Sequence, residues 1–324
     1  MHYSLKIAVA SFMAAGLALG PASQITAKDR QPVKVLSAKT FEGLKPVMIG
    51  SFNVAFITEK NDKAFAGAGR KFGGSSESKA LLAGVSDAEF QAITDAAYAD
   101  FLAKMTAAGY TVVDRAALVA DPGVAKQSYV ASGAKATVIL GKDSKAKALY
   151  YAPTAFGPLG VSANEITGGT FAAFGNMGPL MARSAFVQKA QQQVLNVRYV
   201  IDFAGAQHYG GAFALSSSIK LKAQLAIVDT VTTLTLQAPN GQGTMTLAQP
   251  LAVEGDFGDL ADSTTRGQKI DQALGNVIGI LGGVGTSNRK QFTFTADATG
   301  YRDGAIAASK RANDLFASQL VALQ

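Results

Sequence analysis

The sequence predicts an α/β (α+β) protein in which helices pack on a mixed β-sheet. Apolar residues recur at three- and four-residue spacing from Asp87 to Ala108, which indicates a helix with one buried face. Apolar and polar residues alternate from Ile219 to Val228, as is typical of a strand with one buried and one wet face. A second amphipathic pattern, from Asp303 to Leu323, predicts a closing C-terminal helix.

A secretory signal peptide is predicted at residues 1–27. Lys6 precedes an apolar run from Ile7 to Leu19 that is too short for a stable membrane anchor. Ala27 is the expected cleavage site, with Ala22 as the alternative. We therefore expect an exported protein that is periplasmic or secreted.

The rest of the chain is expected to form a single domain, residues 45–324, after a polar leader at 28–44. The chain has no cysteine, which excludes disulfides, thiolate catalysis and a lipid anchor on cysteine. The formal net charge is +7, but the basic residues are scattered, and no basic stripe with interleaved aromatics indicates nucleic acid. Three lysines, Lys142, Lys145 and Lys147, predict an exposed loop, and the alternative is a surface for anionic lipid or glycan.

The first elements of the domain follow from short local patterns. Met48 to Ile57 predicts a strand that ends where charged residues begin. The glycine-rich stretch 64–78 predicts a flexible loop, and it lacks the spacing of phosphate-binding motifs. Ser86 and Glu89 have the spacing of a capping box at the start of the first helix. The apolar stripe of that helix comprises Phe90, Ile93, Ala97, Phe101 and Met105.

Two buried strands are predicted after this helix. They are Tyr110 to Val113 and Ala136 to Leu140, both rich in β-branched residues. A short helix from Arg115 to Val119 is expected between them, capped by Asp114 and ended at Asp121 by the following proline and glycine.

An irregular insertion is predicted at residues 142–183, because glycine and proline recur among aromatic residues there. The simplest interpretation is a partly buried excursion between core elements. The alternative is a flexible surface that contacts a partner, a bilayer or a ligand, since aromatic and methionine side chains supply contact area. The candidate residues for that surface are Tyr150, Tyr151, Phe156, Phe171, Phe174 and Met177.

The second half of the chain predicts further strands and one hairpin. Residues 186–194 predict a short helix, and 195–203 a strand followed by a glycine-rich turn. An Asn-Gly pair between the alternating runs 231–237 and 244–253 predicts a β-hairpin.

The pattern from Thr264 onward predicts a helix before the strand at 291–296. The expected buried face of that helix comprises Ile270, Leu274, Val277, Ile278 and Leu281.

Few residues are available for catalysis. Removal of the signal peptide would leave His208 as the only histidine, which argues against triads and multi-histidine metal sites, and its neighbours predict an exposed turn. Asp256, Asp259 and Asp262 predict an acidic turn, with weak cation binding or a carboxylate-based hydrolase as alternatives. We therefore predict no catalytic, cofactor-binding or metal-binding residue.

The order of elements between residues 46 and 237 follows a known pattern. Its segments are the strand Met48 to Ile57, the helix Asp87 to Ala108, Gly109 to Arg115, Ala131 to Gly141, and Ile219 to Asp229. This order resembles the periplasmic α/β domain of the curli-secretion channel family (CsgG-like), which shares its core with the N-terminal domain of TolB. The resemblance implies envelope assembly or export and ring-shaped oligomers, and it carries no catalytic residue. The chain departs from the family in lacking a lipid-anchoring cysteine and in its insertion.

Two classes of function follow from these observations. The favoured one is a non-enzymatic cell-envelope protein that binds protein partners or itself, with peripheral contact to the outer membrane. The alternative is a periplasmic binding protein that holds a small apolar or glycan-like ligand among the aromatics of 142–183. No cofactor is expected in either case.

Overall fold

The α/β prediction is confirmed by a computed structural model, which describes residues 31–43, 46–67, 74–166, 177–211, 214, 216–264, 277–281 and 287–324. The expected signal peptide and two predicted surface residues, Phe171 and Phe174, lie outside the described residues. Residues from Pro32 to Gln324 belong to one compact unit.

The strands form a mixed sheet of 14 strands and one separate pair, β5 with β8. Their bounds are β1 (Val33–Leu36), β2 (Val47–Phe65), β3 (Ser75–Ala83), β4 (Val112–Val113), β5 (Tyr129–Val130), β6 (Ala134–Gly141), β7 (Ser144–Tyr151), β8 (Val161–Ser162), β9 (Val194–Tyr209), β10 (Ser218–Ile227), β11 (Thr233–Ala238), β12 (Gly241–Leu247), β13 (Leu251–Val253), β14 (Gly258–Asp262), β15 (Val277–Leu281) and β16 (Ser287–Ala296).

The two longest described helices lie before β4 and at the end of the chain. Their bounds are α1 (Asp87–Ala107), α2 (Ala116–Ala120), α3 (Pro122–Ala125), α4 (Ala163–Ile166), α5 (Met177–Ala190) and α6 (Ala298–Ala322). Within the described residues, no helix is both long enough and apolar enough to span a bilayer.

The central strand is β2, and its neighbours change along its length. Its first half runs parallel to β4 and β9, whereas its second half runs antiparallel to β7 and β3. β9 pairs with β2 only as far as Phe56 opposite Ile201, and its second half pairs with β10 instead. The two long strands then separate, and they meet again at an isolated bridge between Ala66 and Gly211. A gap therefore opens between them.

One face of the sheet is covered by α1 and α6. The predicted capping box is confirmed, because the Ser86 side chain accepts from the Glu89 amide and Glu89 accepts from the Ser86 amide. All five residues of the predicted apolar stripe are buried. Asn313 of α6 joins the layers: it donates to the Ala97 carbonyl at 3.0 Å and accepts from the Tyr199 hydroxyl of β9 at 2.6 Å.

A second, smaller core holds α2, α3 and α5 against β2 and β9. Its buried residues are Met48, Leu118, Val124, Phe186, Val187 and Val194. Val47 and Ile49, on either side of Met48 in β2, belong to the larger core. Because successive side chains of a strand point to opposite faces, Met48 lies on the opposite face of the sheet. The central sheet is therefore covered by helices on both faces along the first half of β2.

Two predictions for the first half of the chain were wrong. β2 does not end at the charged residues but continues through Lys60 and Asp62 to Phe65, because neighbouring strands pair with it on both sides. Residues 75–78 of the predicted glycine-rich loop belong to β3, which continues to Ala83. The predicted end of the short helix at Asp121 is confirmed, since α2 ends at Ala120. The Asp121 side chain also accepts from the Gly123 and Val124 amides and so begins α3.

The predicted insertion is more regular than expected. It contains the strand β7 and the first half of α5, so the two elements on either side of its glycine-rich part are core elements. The strand predicted as buried at 136–140 is β6, but alternate residues of β6 are exposed and only Val138 is fully buried. The expected leader also contributes a strand, β1, which pairs with β12.

The second half of the chain confirms the predicted hairpin and corrects the helix predicted after it. β11 and β12 pair antiparallel, although the two turn residues are Pro239 and Asn240 rather than the Asn-Gly pair. Residues 277–281 of the predicted helix are strand β15, paired with β10, and residues 265–276 lie outside the described residues. The closing helix is confirmed as α6, and Ala312, Phe316 and Leu320 are among its buried residues.

Candidate interaction edges and a charged cavity

One open edge of the sheet is basic. β6 pairs only with β7 among the described strands, and its exposed residues include Lys135 and Ile139, the latter 42% exposed. On β7, Lys147 lies opposite Thr137 and Lys145 opposite Ile139. The Leu140 carbonyl accepts from the Thr230 hydroxyl at 3.4 Å, so the open part of the strand is 134–139. We call β6 with Lys135, Lys145 and Lys147 the basic edge.

A second open edge of the sheet is acidic. In the part of the chain that the structure describes, β14 pairs with β16 alone, and Asp259 and Asp262 on it are exposed. Asp256 lies just before the strand and is also exposed. The predicted acidic turn is therefore partly an edge strand. We call β14 with Asp256, Asp259 and Asp262 the acidic edge.

The acidic edge shows no sign of a metal site. Across the described residues, no group of three or more His, Cys, Asp or Glu side chains is placed to hold a metal ion. Asp262 instead contacts Lys290 at 3.2 Å and accepts from the Thr264 amide at 2.9 Å. Burial opposes the effect, but these contacts hold the pKa of Asp262 below its usual range.

A cavity of about 490 Å³ lies in the gap between the second halves of β2 and β9. Its lining combines five side chains that carry a charge, a hydroxyl or an imidazole with apolar groups from β6, β10 and the segment before β13. These polar residues are Lys60, Asp62, Ser144, Asp202 and His208.

Lys60 and Asp202 form a buried ion pair across the gap. The Lys60 ammonium donates to the Asp202 carboxylate at 2.5 Å and to the Ala204 carbonyl at 2.7 Å, and both side chains are less than 10% exposed. Burial favours the neutral amine, but Asp202 and Asp62 outweigh burial and raise the pKa of Lys60. Burial raises the pKa of Asp202, and the contact with Lys60 opposes that rise. The pair satisfies both charges.

Asp62 is the second buried carboxylate of the cavity, and only one of its oxygens has partners. Oδ1 accepts from the Ser144 hydroxyl at 2.6 Å and lies 3.4 Å from Nε2 of His208. Oδ2 is buried and has no hydrogen-bond partner, although the side chain is only 1% exposed. Burial opposes ionisation, but His208, Lys60 and Ser144 lower the pKa of Asp62, so the group carries a charge near neutral pH.

His208 was predicted in an exposed turn, and the structure places it in β9 instead. Its side chain is 36% exposed and lines the cavity beside Asp62. The sequence offers no apolar–polar alternation that could have located this cluster, because residues 59–63 are all polar or charged. The prediction therefore ended the strand at the first charged residues.

The predicted aromatic surface is not an exposed surface where the structure describes its side chains. Tyr150, Tyr151 and Phe156 are each less than 10% exposed. The Tyr151 hydroxyl donates to Asp87 at 2.6 Å, and burial together with that carboxylate raises the pKa of Tyr151. Phe156 lies under the guanidinium of Arg115 at 3.9 Å. Tyr150 and Tyr151 are buried because β7 is an inner strand between β2 and β6. Phe156 follows β7 in a short 3-10 helix, and Met177 begins α5.

Comparisons of the chain with models of known protein families, with curated proteins and with solved structures returned no match. The resemblance to the curli-secretion channel family therefore stays a prediction.

Proposed function

We propose that this chain is a non-enzymatic protein of the cell envelope, exported to the periplasm, that assembles with copies of itself through two oppositely charged edges of its sheet, the basic edge and the acidic edge. The observation that carries the proposal is the opposite charge of these edges: Lys135 and Lys145 on and beside β6, and Asp256 and Asp259 beside and on β14. The other two charges, Lys147 and Asp262, are paired within the chain with Glu59 and Lys290.

The physical argument concerns what open strands do in solution. An edge strand presents unpaired backbone groups that can pair with another chain, and charged residues on the edge limit such pairing. On this chain, two basic edges repel each other, and so do two acidic edges. A basic edge and an acidic edge attract, which steers the encounter and sets its register. Ile139 adds exposed apolar surface at the basic edge.

This pairing is head-to-tail, because the two surfaces that meet are different. Head-to-tail contacts generate a ring when the rotation between copies closes and a filament when it does not. The chain resembles the curli-secretion channel family, whose members often form rings in envelope assembly or export. This resemblance also favours head-to-tail assembly. Protein partners and contact with the outer membrane stay predictions within this proposal.

A charge exchange between the edges tests the proposal. We expect Lys135→Glu and Asp259→Lys each to weaken assembly of the mature protein, because each places like charges in the contact. The double variant restores an attractive pair and should recover much of the lost association. Sedimentation velocity over a concentration series measures all three against the wild type.

The matched control is Lys310→Glu, a charge reversal of equal size at an exposed position of α6. It should leave the oligomer distribution unchanged. Equal loss in this control and in Lys135→Glu, or a double variant weaker than both single variants, would contradict edge-to-edge assembly.

A second candidate function is a periplasmic binding protein for a small apolar or glycan-like ligand, which the cavity favours. Its volume of about 490 Å³ is within the range of small-molecule pockets, and it is lined by Leu140, Ala226 and Val228 as well as by polar groups. This reading places the ligand between β2 and β9 rather than among the aromatics of the insertion. Native mass spectrometry of the freshly purified protein tests it: a co-purifying small molecule on a monomer supports binding, and a bare monomer contradicts it.

A further inference from the structure

A second cavity lies on the face of the sheet opposite α1 and α6, between α5 and the strands β2, β9 and β11. Phe52 of β2 packs against Phe101 of α1, so its neighbours Ser51 and Asn53 point to the other face, where they line this cavity. The volume is about 190 Å³. Pockets for drug-sized ligands measure roughly 300–1,000 Å³, so a ligand of this cavity must be small.

The strands present two rows of polar side chains to this cavity. Residues that lie opposite one another on neighbouring strands point to the same face of a sheet. The first row comprises Asn53 of β2, Arg198 of β9 and Thr233 of β11, and the second comprises Ser51, Asn196 and Thr235 of the same strands. All six residues line the cavity. Its floor is therefore polar, although a sheet face beneath a helix is usually apolar.

The charged groups of the lining are positive. Arg198 of β9 and Arg183 of α5 both line the cavity, and none of the described lining residues carries a carboxylate. A third arginine, Arg115, lies nearby and donates to the Gly50 carbonyl at 3.3 Å. Burial lowers the pKa of Arg115, and the positive charge of Arg183 lowers it further. The cavity therefore lies in a region of positive potential.

A ligand can reach part of this lining. Arg198 and Thr233 are partly exposed, and the Thr233 hydroxyl is accessible and has no hydrogen-bond partner in the part of the chain that the structure describes. Arg183 is only 4% exposed, so it contributes mainly its charge. A guanidinium has five N–H donors, so Arg198 can keep its contacts within the protein and still donate to a ligand.

We infer that this cavity binds small organic anions that carry a carboxylate or a phosphate, with Arg198 and Thr233 as the binding residues. The planar fork of a guanidinium matches both groups, to which it donates two parallel charge-assisted hydrogen bonds. The Thr233 hydroxyl supplies a further donor from the neighbouring strand. A cation is repelled by Arg183 and Arg198, and a neutral ligand lacks their attraction.

The second row of side chains fixes the walls of the cavity. The Ser51 hydroxyl donates to Asn196 at 3.1 Å, and the Asn196 amide donates to Gln237 at 3.2 Å. Gln237 in turn donates to the Leu180 carbonyl of α5 at 2.9 Å. These hydrogen bonds connect β2, β9 and β11 to α5, so the cavity is formed before a ligand enters, which lowers the cost of binding. Ser51, Asn196 and Gln237 are therefore positioning residues.

Matched ligand pairs test the inference on the full mature protein. Each pair sets an anion against a neutral compound of similar shape: lactate with lactamide, and glycerol 3-phosphate with glycerol. We expect at least one anion to bind about ten-fold or more tightly than its neutral partner, as a charge-assisted hydrogen bond implies. Isothermal titration calorimetry in a buffer free of phosphate and carboxylates, with compounds up to about 10 mM, measures the difference. The pair that responds identifies the carboxylate or the phosphate as the preferred group.

Two variants and one control assign the effect to the cavity. Arg198→Gln should weaken binding of the preferred anion about 10- to 100-fold, since it removes the charge and the fork of donors. Thr233→Met should block binding by filling the cavity from a partly exposed position, and it serves equally if Arg198→Gln fails to fold. Arg311→Gln, the same change at an exposed position of α6 outside this cavity, should bind as the wild type does.

Two results would overturn the inference. One is the absence of any preference for the anion in both pairs, which would mean that the arginines serve only the fold. The other is a preference that persists in both Arg198→Gln and Thr233→Met, which would place binding elsewhere on this basic protein. The variants lie outside β6 and β14, so failure here is separate from failure of the edge-assembly proposal.

Discussion

The first and second halves of strands β2 and β9 are continuous in the backbone, but their buried side chains have different surroundings. In the first halves, Phe52 and Tyr199 lie in an aromatic cluster under α1 and α6, with ring centroids 5.5 Å apart. In the second halves, Lys60, Asp62 and Asp202 are just as deeply buried, but they face a cavity. Helices cover the first region, and the second region is a gap between separated strands.

This difference separates buried residues that account for most of the stability from buried charges that add little net stability. Burying an aromatic ring is favourable, and ring pairs add roughly 0.5–1.5 kcal/mol beyond the area buried. A buried ion pair recovers little more than its desolvation penalty, and an apolar replacement of both partners is often neutral or stabilising. The first halves of the strands therefore account for stability, and the second halves retain charges that stability does not require. Buried charges of that kind are where function is expected.

The largest effect on stability is expected in the aromatic half. Phe52→Ala removes a ring that is fully buried and contacts Tyr98, Phe101 and Tyr199. Such truncations cost about 3–5 kcal/mol of unfolding free energy, because the lost burial is joined by the cavity left behind. Chemical denaturation followed by circular dichroism measures the change. A loss below about 1 kcal/mol would contradict the assignment of stability to this half.

A somewhat smaller effect is expected from the ion pair. Lys60→Met leaves Asp202 buried without its cation, and breaking such a pair costs about 3–5 kcal/mol. We expect the lower end of that range, because water in the adjoining cavity can solvate the carboxylate. The double variant Lys60→Met with Asp202→Leu should regain most of the loss. A double variant no more stable than Lys60→Met would mean that the ion pair adds net stability to the second halves of β2 and β9, which would contradict this account.

The smallest effect concerns the pH dependence of stability. His208, Lys60 and Ser144 outweigh burial and hold the pKa of Asp62 below the value of about 4 expected in the unfolded chain. The stability that Asp62 contributes is therefore complete above about pH 4 and is lost as the pH falls through its lower native pKa. Asp62→Asn should lose less unfolding free energy than the wild type on acidification. Asp202 is common to both proteins, so denaturation series at several pH values isolate Asp62, and parallel pH profiles would refute this assignment.

The apolar part of the fold could be predicted from the sequence because its signals are local. The capping box at Ser86 and the stripe through Phe101 need only the spacing within one helix, and both are confirmed. The alternation from Ile219 to Ile227 likewise needs only one strand, and it is confirmed as β10.

The candidate site could not be predicted in the same way, because it depends on partners distant in the chain. Lys60 and Asp202 are 142 residues apart, and only the separation of β2 from β9 brings them across one cavity. The open edges raise the same difficulty: Lys135 marks an edge only because β6 has no second strand beside it in the described part of the sheet. Tyr150 and Tyr151 are candidates for an interaction surface in the sequence because glycine and proline nearby indicate a loop. In the structure they lie on β7, which pairs with β2 on one side and β6 on the other.

The mass of the mature protein in solution tests the central claim, assembly through oppositely charged edges, most directly. Light scattering on a size-exclusion column should show a discrete oligomer in low salt. The oligomer should shift toward monomer as the ionic strength rises from about 0.05 M to about 0.5 M, because exposed charges are screened over a shorter distance. A monomer at every concentration, in low salt and in mild detergent alike, would contradict the claim.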